Sequence, residues 1–194
     1  MNRLYKHISI FIIVGIFLCQ RLCAFPFFYE KKFDDSQKAA KERVSFLQKK
    51  QIDNPHDPLV NYNLGVALYR SHKFDQAAKN FERVLHTKLY DQELLKKTYF
   101  NLGNSYYQNA KFQLGHDWEK KDIDHKKLDE VITEVKAGVE KCKNFLALDK
   151  ESERGKKNLK ICENLLKKLE EKKQKQQQKD QQKDDGQGAL HNTV

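Results

Sequence analysis

The stretch that decides the fold is "NYNLGVALYRSHKFDQAAKNFERV", residues 61–84, in which apolar residues recur at the spacing of an amphipathic helix. Its Asn-Leu-Gly phrase returns in "YFNLGNSYY", residues 99–107, followed by a tyrosine at the same offset. A glycine inside a helix costs about 1 kcal/mol relative to alanine, so a repeated one needs a packing reason. The pattern predicts two antiparallel helices that approach closely where Gly65 faces Ala77.

The rest of the central chain also predicts helices. Between Leu59 and Leu169 the sequence has no proline and no alternation typical of strands. Turn residues separate the helical segments near 71–73, 87–92, 120–126 and 149–152. The chain has 194 residues, 33% of them charged, which is enough for one modest domain with some length left over. We therefore predict an all-α domain.

Six positions of the first unit resemble the tetratricopeptide (TPR) repeat: Leu64, Gly65, Leu68, Ala77, Phe81 and Val84. Asn61 stands where that family usually has Trp or Tyr. The resemblance implies a short solenoid of helical hairpins, with residues 58–95 as the first unit and 96–150 as the second. Packing of the repeats would use Leu64, Gly65, Ala77, Phe81, Leu102, Gly103 and Gly138.

The second unit departs from a regular repeat because extra residues, about 110–135, separate its two halves. Their composition predicts that both helices are lengthened into an arm and joined near 119–127. The arm would be closed by Phe112, Leu114, Trp118, Leu128, Val131 and Val135. A separate floppy insertion is the alternative, which the spaced apolar residues disfavour.

Shorter segments flank the two units. Residues 25–57 contain a helix that would act as a degenerate half-repeat, and residues 151–172 predict a capping helix. In the cap, Asn158 echoes Asn101, and Lys160 stands where the glycine was. Residues 173–194 are rich in Lys, Gln and Asp and have little to bury, so they predict a disordered tail.

The first residues have the order of an export signal. Arg3, Lys6 and His7 precede "ISIFIIVGIFLC", residues 8–19, an apolar run shorter than a membrane-spanning helix needs. Residues 1–24 are interpreted as a signal peptide cleaved after Ala24 or as an uncleaved membrane anchor. Either outcome predicts an exported protein in the periplasm or at the outer face of the inner membrane.

The TPR resemblance implies that the first helix of each hairpin lines a concave groove. The residues at these positions are Tyr62, Val66, Tyr69, Arg70, Phe100, Asn104, Tyr107 and Gln108. Aromatic, guanidinium and amide groups suit the capture of a peptide or of a partner's helix. The alternative is that Tyr69 and Tyr107 only pack within the solenoid.

No catalytic or metal-binding motif is present in the sequence, so we predict a non-enzymatic protein without cofactor, metal or small-molecule substrate. Cys142 and Cys162 fall on adjacent predicted helices at positions that face one another. They could form a disulfide in an oxidising compartment or remain two buried thiols. The formal charge of +10 comes largely from lysines spread along helices, which favours a solvated surface over nucleic-acid binding.

The whole layout is similar to the TPR component of bacterial aerotolerance (Bat) operons: a leader, a few repeats, the helix "KKNLKICENLLKKL" and a Lys/Gln/Asp-rich tail. That resemblance implies partners among membrane-bound von Willebrand A-domain proteins of the cell envelope. The predicted function is an adaptor for protein–protein interactions. The alternatives are a thiol-dependent redox or stress protein that uses Cys142 and Cys162, and an envelope-assembly factor that handles outer-membrane clients.

Overall fold

The computed structural model describes residues 38–87 and 91–191. Every regular element in these residues is a helix, which confirms the prediction of an all-α protein. The elements are α1 (38–53), α2 (Pro58–Arg70), α3 (Phe74–Leu85), α4 (Gln92–Leu114), α5 (His125–Leu148) and α6 (Glu153–His191). The predicted export signal, residues 1–24, lies outside the described residues, as do residues 192–194. Within the described ranges, no helix has the combination of length and hydropathy that a membrane crossing requires.

Side-chain caps and one glycine fix the helix ends. The Asp57 carboxylate accepts hydrogen bonds from two backbone N–H groups in the first turn of α2, at 2.7 and 3.1 Å. Asp91 and Asp124 cap α4 and α5 in the same manner. Gly115 ends α4 with a φ of 75°, a left-handed conformation that glycine adopts without steric cost. Local sequence therefore determines where these helices begin and where α4 stops.

Consecutive helices pack antiparallel. The Tyr62 ring of α2 lies 5.7 Å from the Phe81 ring of α3, and the Tyr69 ring lies 5.3 Å from the Phe74 ring. Residue numbers therefore rise along α2 as they fall along α3, which means that the two helices run in opposite directions. The pairs α4–α5 and α5–α6 follow the same rule. Among α2 to α6, contacts join only helices that are one or two places apart along the chain.

The second hairpin is longer than the first, since α4 and α5 have 23 and 24 residues whereas α2 and α3 have 13 and 12. The distal core contains Ala110, Leu128, Val131, Ile132, Val135, Leu165 and Leu169, and Leu114 and Trp118 pack against it. Phe112 was expected in this core but is 73% exposed, because it lies two positions after buried Ala110, on the other side of α4. The connection begins at Gly115, earlier than the predicted 119–127.

The last helix continues through most of the segment predicted to be a disordered tail, residues 173–194, so that prediction is not confirmed. Gln176 is only 6% exposed, and its amide donates to the backbone C=O of Ile123 (2.8 Å) in the arm. Two ion pairs, at 2.6 and 3.6 Å, also join lysines of α6 to aspartates of the arm and of α5. The tail has few apolar residues, but the long arm supplies polar partners for it.

Candidate partner-binding surface

The first helices of the two hairpins, α2 and α4, lie side by side and parallel. Asn101 donates a side-chain hydrogen bond to the Tyr62 hydroxyl at 2.9 Å. The Gln108 amide lies beside the Tyr69 hydroxyl about two turns further along. Both pairs are 39 positions apart (62 to 101 and 69 to 108), which is the constant register of two parallel helices.

Helices α4 and α6 also pair at a constant sequence offset. The Arg154 guanidinium lies 4.2 Å from the centre of the Phe100 ring, and Asn158 donates a hydrogen bond to Asn104 at 2.7 Å. Both pairs are 54 positions apart (100 to 154 and 104 to 158). Asn158 is therefore level with Asn104, whereas the sequence echo aligned it with Asn101. The sequence echo between Asn158 and Asn101 therefore does not identify the residues of α4 and α6 that lie side by side.

Gly155 explains where α6 docks. A Cβ at this position would lie 2.4 Å from the Phe145 ring and 2.8 Å from the Leu146 side chain, both on α5. Only a glycine lets the first turns of α6 approach α5 so closely. Because Lys160 stands where the repeated glycine would be, the sequence predicted no close approach in this helix. The close approach is at Gly155, the first glycine after the turn at 149–152.

The residues predicted to pack the repeats are all buried: Leu64, Gly65, Ala77, Phe81, Leu102, Gly103 and Gly138. Around Gly65 the contact differs from the prediction. The atoms closest to a Cβ built there all belong to the Phe81 ring, the nearest at 2.7 Å, and not to Ala77. Ala77 is completely buried one turn earlier on α3. The glycine therefore makes room for an aromatic ring.

Gly103 and Gly138 mark a close crossing of α4 and α5. A Cβ on Gly103 would lie 3.3 Å from the Gly138 C=O and 2.9 Å from the Cys142 Sγ. A Cβ on Gly138 would lie 3.5 Å from the Gly103 C=O. The two backbones approach closely here, and the Cys142 side chain also occupies the space beside Gly103. The second hairpin thus places small residues where its axes meet, as the opening sequence pattern predicted for such pairs.

The eight residues predicted to line a groove differ in exposure. Arg70 is exposed, Phe100 is buried, and six are half-buried: Tyr62, Val66, Tyr69, Asn104, Tyr107 and Gln108. Burial raises the pKa of the Tyr62 and Tyr69 hydroxyls, while the amides of Asn101 and Gln108 beside them act in the opposite direction. Both hydroxyls are therefore neutral at physiological pH and bridge α2 to α4.

Two aromatic residues of the predicted groove face the interior instead. The Phe100 ring centroid is 5.2 Å from that of Phe145 and the residue is 9% exposed, so its assignment to an open groove is wrong. It is buried because the α6 cap lies against α4 at this level. Tyr107 packs against both apolar clusters between α4, α5 and α6. The alternative that Tyr107 packs within the fold accounts for this contact.

The part of this side that stays accessible lies on α2 and on the C-terminal half of α4. Val66 and Gln108 are half-buried, and Arg70 is exposed in the last turn of α2. Phe112 follows Gln108 by one turn and is 73% exposed. We call Val66, Arg70, Gln108 and Phe112 the α2/α4 face. It combines a positive charge, an amide and an aromatic ring, the residue types that are common in protein interfaces.

Sequence reasoning missed a polar network behind this face. The Gln51 amide donates to the Asn61 Oδ1 at 2.5 Å and to the Asn80 Oδ1 at 2.6 Å. The Asn61 amide donates to the backbone C=O groups of Pro55 and Asp57, both at 2.9 Å. Asn61 is completely buried, and its hydrogen bond with Gln51 joins the end of α1 to the first hairpin. An amide at an apolar position beside a proline turn was the available signal.

A concave feature lies between the arm and α6. It is a cleft of about 330 Å³, lined by Trp118, five lysines and three acidic residues among others. Two of those acids already have cationic partners: Glu119 pairs with Lys168 at 2.8 Å and Asp122 with Lys179 at 3.6 Å. The hydrogen bond from Lys168 lowers the pKa of the Glu119 carboxyl. These lysines hold α6 on the arm, so the α2/α4 face is the stronger candidate for binding.

No protein-family model matches the chain, and no curated protein is significantly similar to it. In the described part of the chain, no group of three or more His, Cys, Asp or Glu side chains is arranged to hold a metal ion. Function is therefore inferred from the residues of the α2/α4 face themselves.

Proposed function

We propose that this chain is a non-enzymatic adaptor of the TPR type that binds partner proteins through the α2/α4 face. The observation that carries the proposal is that three parallel helices, α2, α4 and α6, pair side by side at constant sequence offsets. An antiparallel helix follows α2 and another follows α4, and α6 is the last helix of the described residues. Stacked helical hairpins of a TPR solenoid have this arrangement, and their first helices form the binding side. The buried glycines at 65 and 103 support the same interpretation.

The chemistry of the face suggests what it binds. Arg70 contributes an exposed positive charge at the end of α2, and Phe112 an exposed ring at the end of α4. The bridges between Tyr62 and Asn101 and between Asn104 and Asn158 hold the three helices rigid before a partner arrives. A preorganised surface loses little entropy on binding. A helix or peptide with an acidic and an apolar residue one to two turns apart fits these groups.

The place of action follows from the N-terminal segment. A leader over residues 1–24 would export the chain or anchor it, so that the adaptor works in the periplasm or at the outer face of the inner membrane. The similarity of the layout to the TPR component of aerotolerance operons favours membrane-bound von Willebrand A-domain proteins as partners.

Site-specific crosslinking in intact envelopes tests the proposal. A photo-crosslinking phenylalanine analogue replaces Gln108 on the α2/α4 face, and in a matched chain it replaces exposed Lys79 on α3. Position 108 is expected to give discrete adducts with a partner protein, identified by mass spectrometry, and position 79 is expected to give none. Equal adduct yields at both positions would contradict the assignment of the face.

A charge-reversal pair then asks whether the chemistry of the face matters. Arg70→Glu is expected to reduce the position-108 adduct severalfold because it repels an acidic partner. Arg83→Glu makes the same change at an exposed position on α3 and is expected to leave the adduct unchanged. If Arg83→Glu has the same effect as Arg70→Glu, general charge and not the face determines binding.

A further inference from the structure

Two cysteine side chains meet between the capping helix and the second hairpin. The Sγ atoms of Cys142 on α5 and Cys162 on α6 are 3.9 Å apart. Both residues are free thiols and almost completely buried, at 3% and 2% exposure. Their surroundings are apolar or aromatic: Val139, Tyr107, Leu159 and Leu166. No other thiol in the described residues is near them.

We propose that Cys142 and Cys162 are a covalent modification site, at which a reversible disulfide fastens α6 to α5. This inference does not depend on the adaptor role, because it concerns the α5–α6 contact and not the α2/α4 face.

The geometry needs only a small change to form the bond. A disulfide holds its sulfur atoms about 2.05 Å apart, so the two Sγ atoms must close by roughly 2 Å, within reach of rotation about two Cα–Cβ bonds and slight helix movement. On the side of α4 the Cys142 Sγ already fills the place that a Cβ on Gly103 would take, at 2.9 Å. The Cys142 Sγ is therefore close to α4 on one side and in contact distance of the Cys162 Sγ on the other.

The reaction is a two-electron oxidation by a small-molecule disulfide such as oxidised glutathione. The Cys142 thiolate attacks one sulfur of that disulfide, forms a mixed disulfide and releases the first glutathione thiolate. The Cys162 thiolate then attacks the Cys142 sulfur and releases the second. The protein dithiol loses two electrons and two protons, and one oxidised glutathione becomes two reduced molecules.

Cys142 is the better first nucleophile of the two. The hydrogen bond shared with Cys162 lowers the pKa of the Cys142 thiol, whereas that interaction and burial raise the pKa of Cys162. A thiol with the lower pKa has the larger thiolate fraction. Because both sulfurs are buried, the oxidant reaches them during folding or when α6 opens. Native, reduced protein should therefore react slowly with alkylating agents and rapidly once unfolded.

Refolding in a glutathione redox buffer tests the proposal on the full chain. Cys19→Ser and Cys23→Ser leave only the two thiols in question. Free thiols are then alkylated under denaturing conditions, and the digested protein is mapped by mass spectrometry. We expect a linked peptide pair that contains Cys142 and Cys162. The oxidised protein should melt about 5–10 °C above the reduced protein, as closure of a loop of this length predicts.

Two variants test whether the disulfide requires the specific positions of the two thiols. Cys162→Ser should abolish both the linked peptide and the melting difference. Combining Cys162→Ser with Glu163→Cys moves the thiol to the next position, which is exposed, and should give no link to Cys142. The proposal is overturned if both native thiols are alkylated after refolding, if the link lowers the melting temperature, or if the Glu163→Cys variant links equally well.

Discussion

At Gly65 a single added side chain would meet an immovable neighbour. Phe81 is completely buried, and its ring would lie 2.7 Å from a Cβ at this position. Gly65→Leu is expected to lower the free energy of unfolding by about 3 kcal/mol, since overpacking forces α2 away from α3. Urea denaturation measures the change. Asn63→Leu, at an exposed position of the same helix, should cost less than about 0.5 kcal/mol. Equal losses in the two variants would contradict the contact.

Asn61 is a buried polar residue that stabilises the fold through hydrogen bonds. Asn61→Ala removes the acceptor of the Gln51 amide and a donor to two backbone C=O groups. Leaving buried polar groups unsatisfied should lower the free energy of unfolding by about 2 kcal/mol. Thermal or chemical denaturation of the variant measures this loss. Asn63→Ala is the matched control because Asn63 is exposed. A loss of the same size in the control would show that the network contributes nothing.

Glu134 gives the stability a defined pH dependence. Burial raises the pKa of its carboxyl above the ordinary 4.5, although the amides of Asn109 and Gln113, each at 2.7 Å, act to lower it. The folded state then binds the proton more tightly than the unfolded state. This group therefore favours folding below about pH 4.5, and the contribution is lost as pH rises through the folded-state pKa.

Glu134→Gln removes that titration. From pH 4.5 toward neutrality, the variant should lose less stability than the natural chain, as measured by urea denaturation at a series of pH values. Glu130→Gln alters an exposed carboxyl on the same helix and should leave the pH profile of the natural chain intact. If the curves of natural chain and Glu134→Gln stay parallel, Glu134 is not coupled to folding.

At the scale of elements, the C-terminal half of α6 depends on one buried amide. Gln176 donates to the Ile123 C=O at 2.8 Å and accepts from the Ile123 N–H at 3.4 Å. Within residues 170–182 it is the only buried residue. Gln176→Ala should accelerate amide hydrogen exchange in residues 170–182 about tenfold, because a lost hydrogen bond of this kind costs about 1 kcal/mol or more. Mass spectrometry of peptides from this region measures the rate.

A neighbouring glutamine supplies the comparison. Gln177 is exposed, so Gln177→Ala makes the same chemical change without touching the arm and should leave exchange in residues 170–182 unchanged. Equal exchange rates in the two variants would contradict the role of Gln176. Ion pairs would then hold this part of the helix in place, and its exchange would become faster in high salt.

Sequence patterns predicted the helices and the close crossing on Gly103 and Gly138, because periodicity and small residues report directly on helix faces. They did not predict the register of α6 or the order of its C-terminal half. The sequence around Asn158 resembles that around Asn101, but Asn158 bonds to Asn104 because Gly155 packs against Phe145 and so sets the position of α6. Likewise, a Lys/Gln-rich segment has no apolar face, and the partner of Gln176 lies in a loop far earlier in the chain.

The candidate surface shows the same limit. The TPR resemblance implied positions 62, 66, 69 and 70, and the structure leaves Arg70 exposed. Whether Phe100 is exposed depends on whether another helix packs beside α4, and the local sequence does not predict this. The α6 cap covers it with Arg154, at 4.2 Å from the ring centre. Exposure of a residue on α4 therefore depends on the helix that packs beside it, and that helix is determined by tertiary contacts.

At the scale of the whole molecule, the contact pattern determines how the fold opens. Among the described helices α2 to α6, no Cα atom of the first hairpin α2–α3 lies within 8 Å of a Cα atom of α5 or α6, and only α4 packs against both ends. In arrays with nearest-neighbour contacts, stability is approximately a sum over units and interfaces. One end can then open while the other stays folded, so damage to either end should remain partly local.

Two chemically identical substitutions at opposite ends test this locality. Leu64 of α2 and Leu128 of α5 are 1% and 0% exposed, so replacing either by Ala should cost about 2–5 kcal/mol. Leu64→Ala is expected to accelerate hydrogen exchange at least tenfold more in residues 58–87 than in residues 125–182, and Leu128→Ala should do the reverse. Peptide-resolved exchange under native conditions measures both. If each variant accelerates exchange equally in every helix, α4 couples the two ends into one all-or-none unit, and the description of independent hairpins fails.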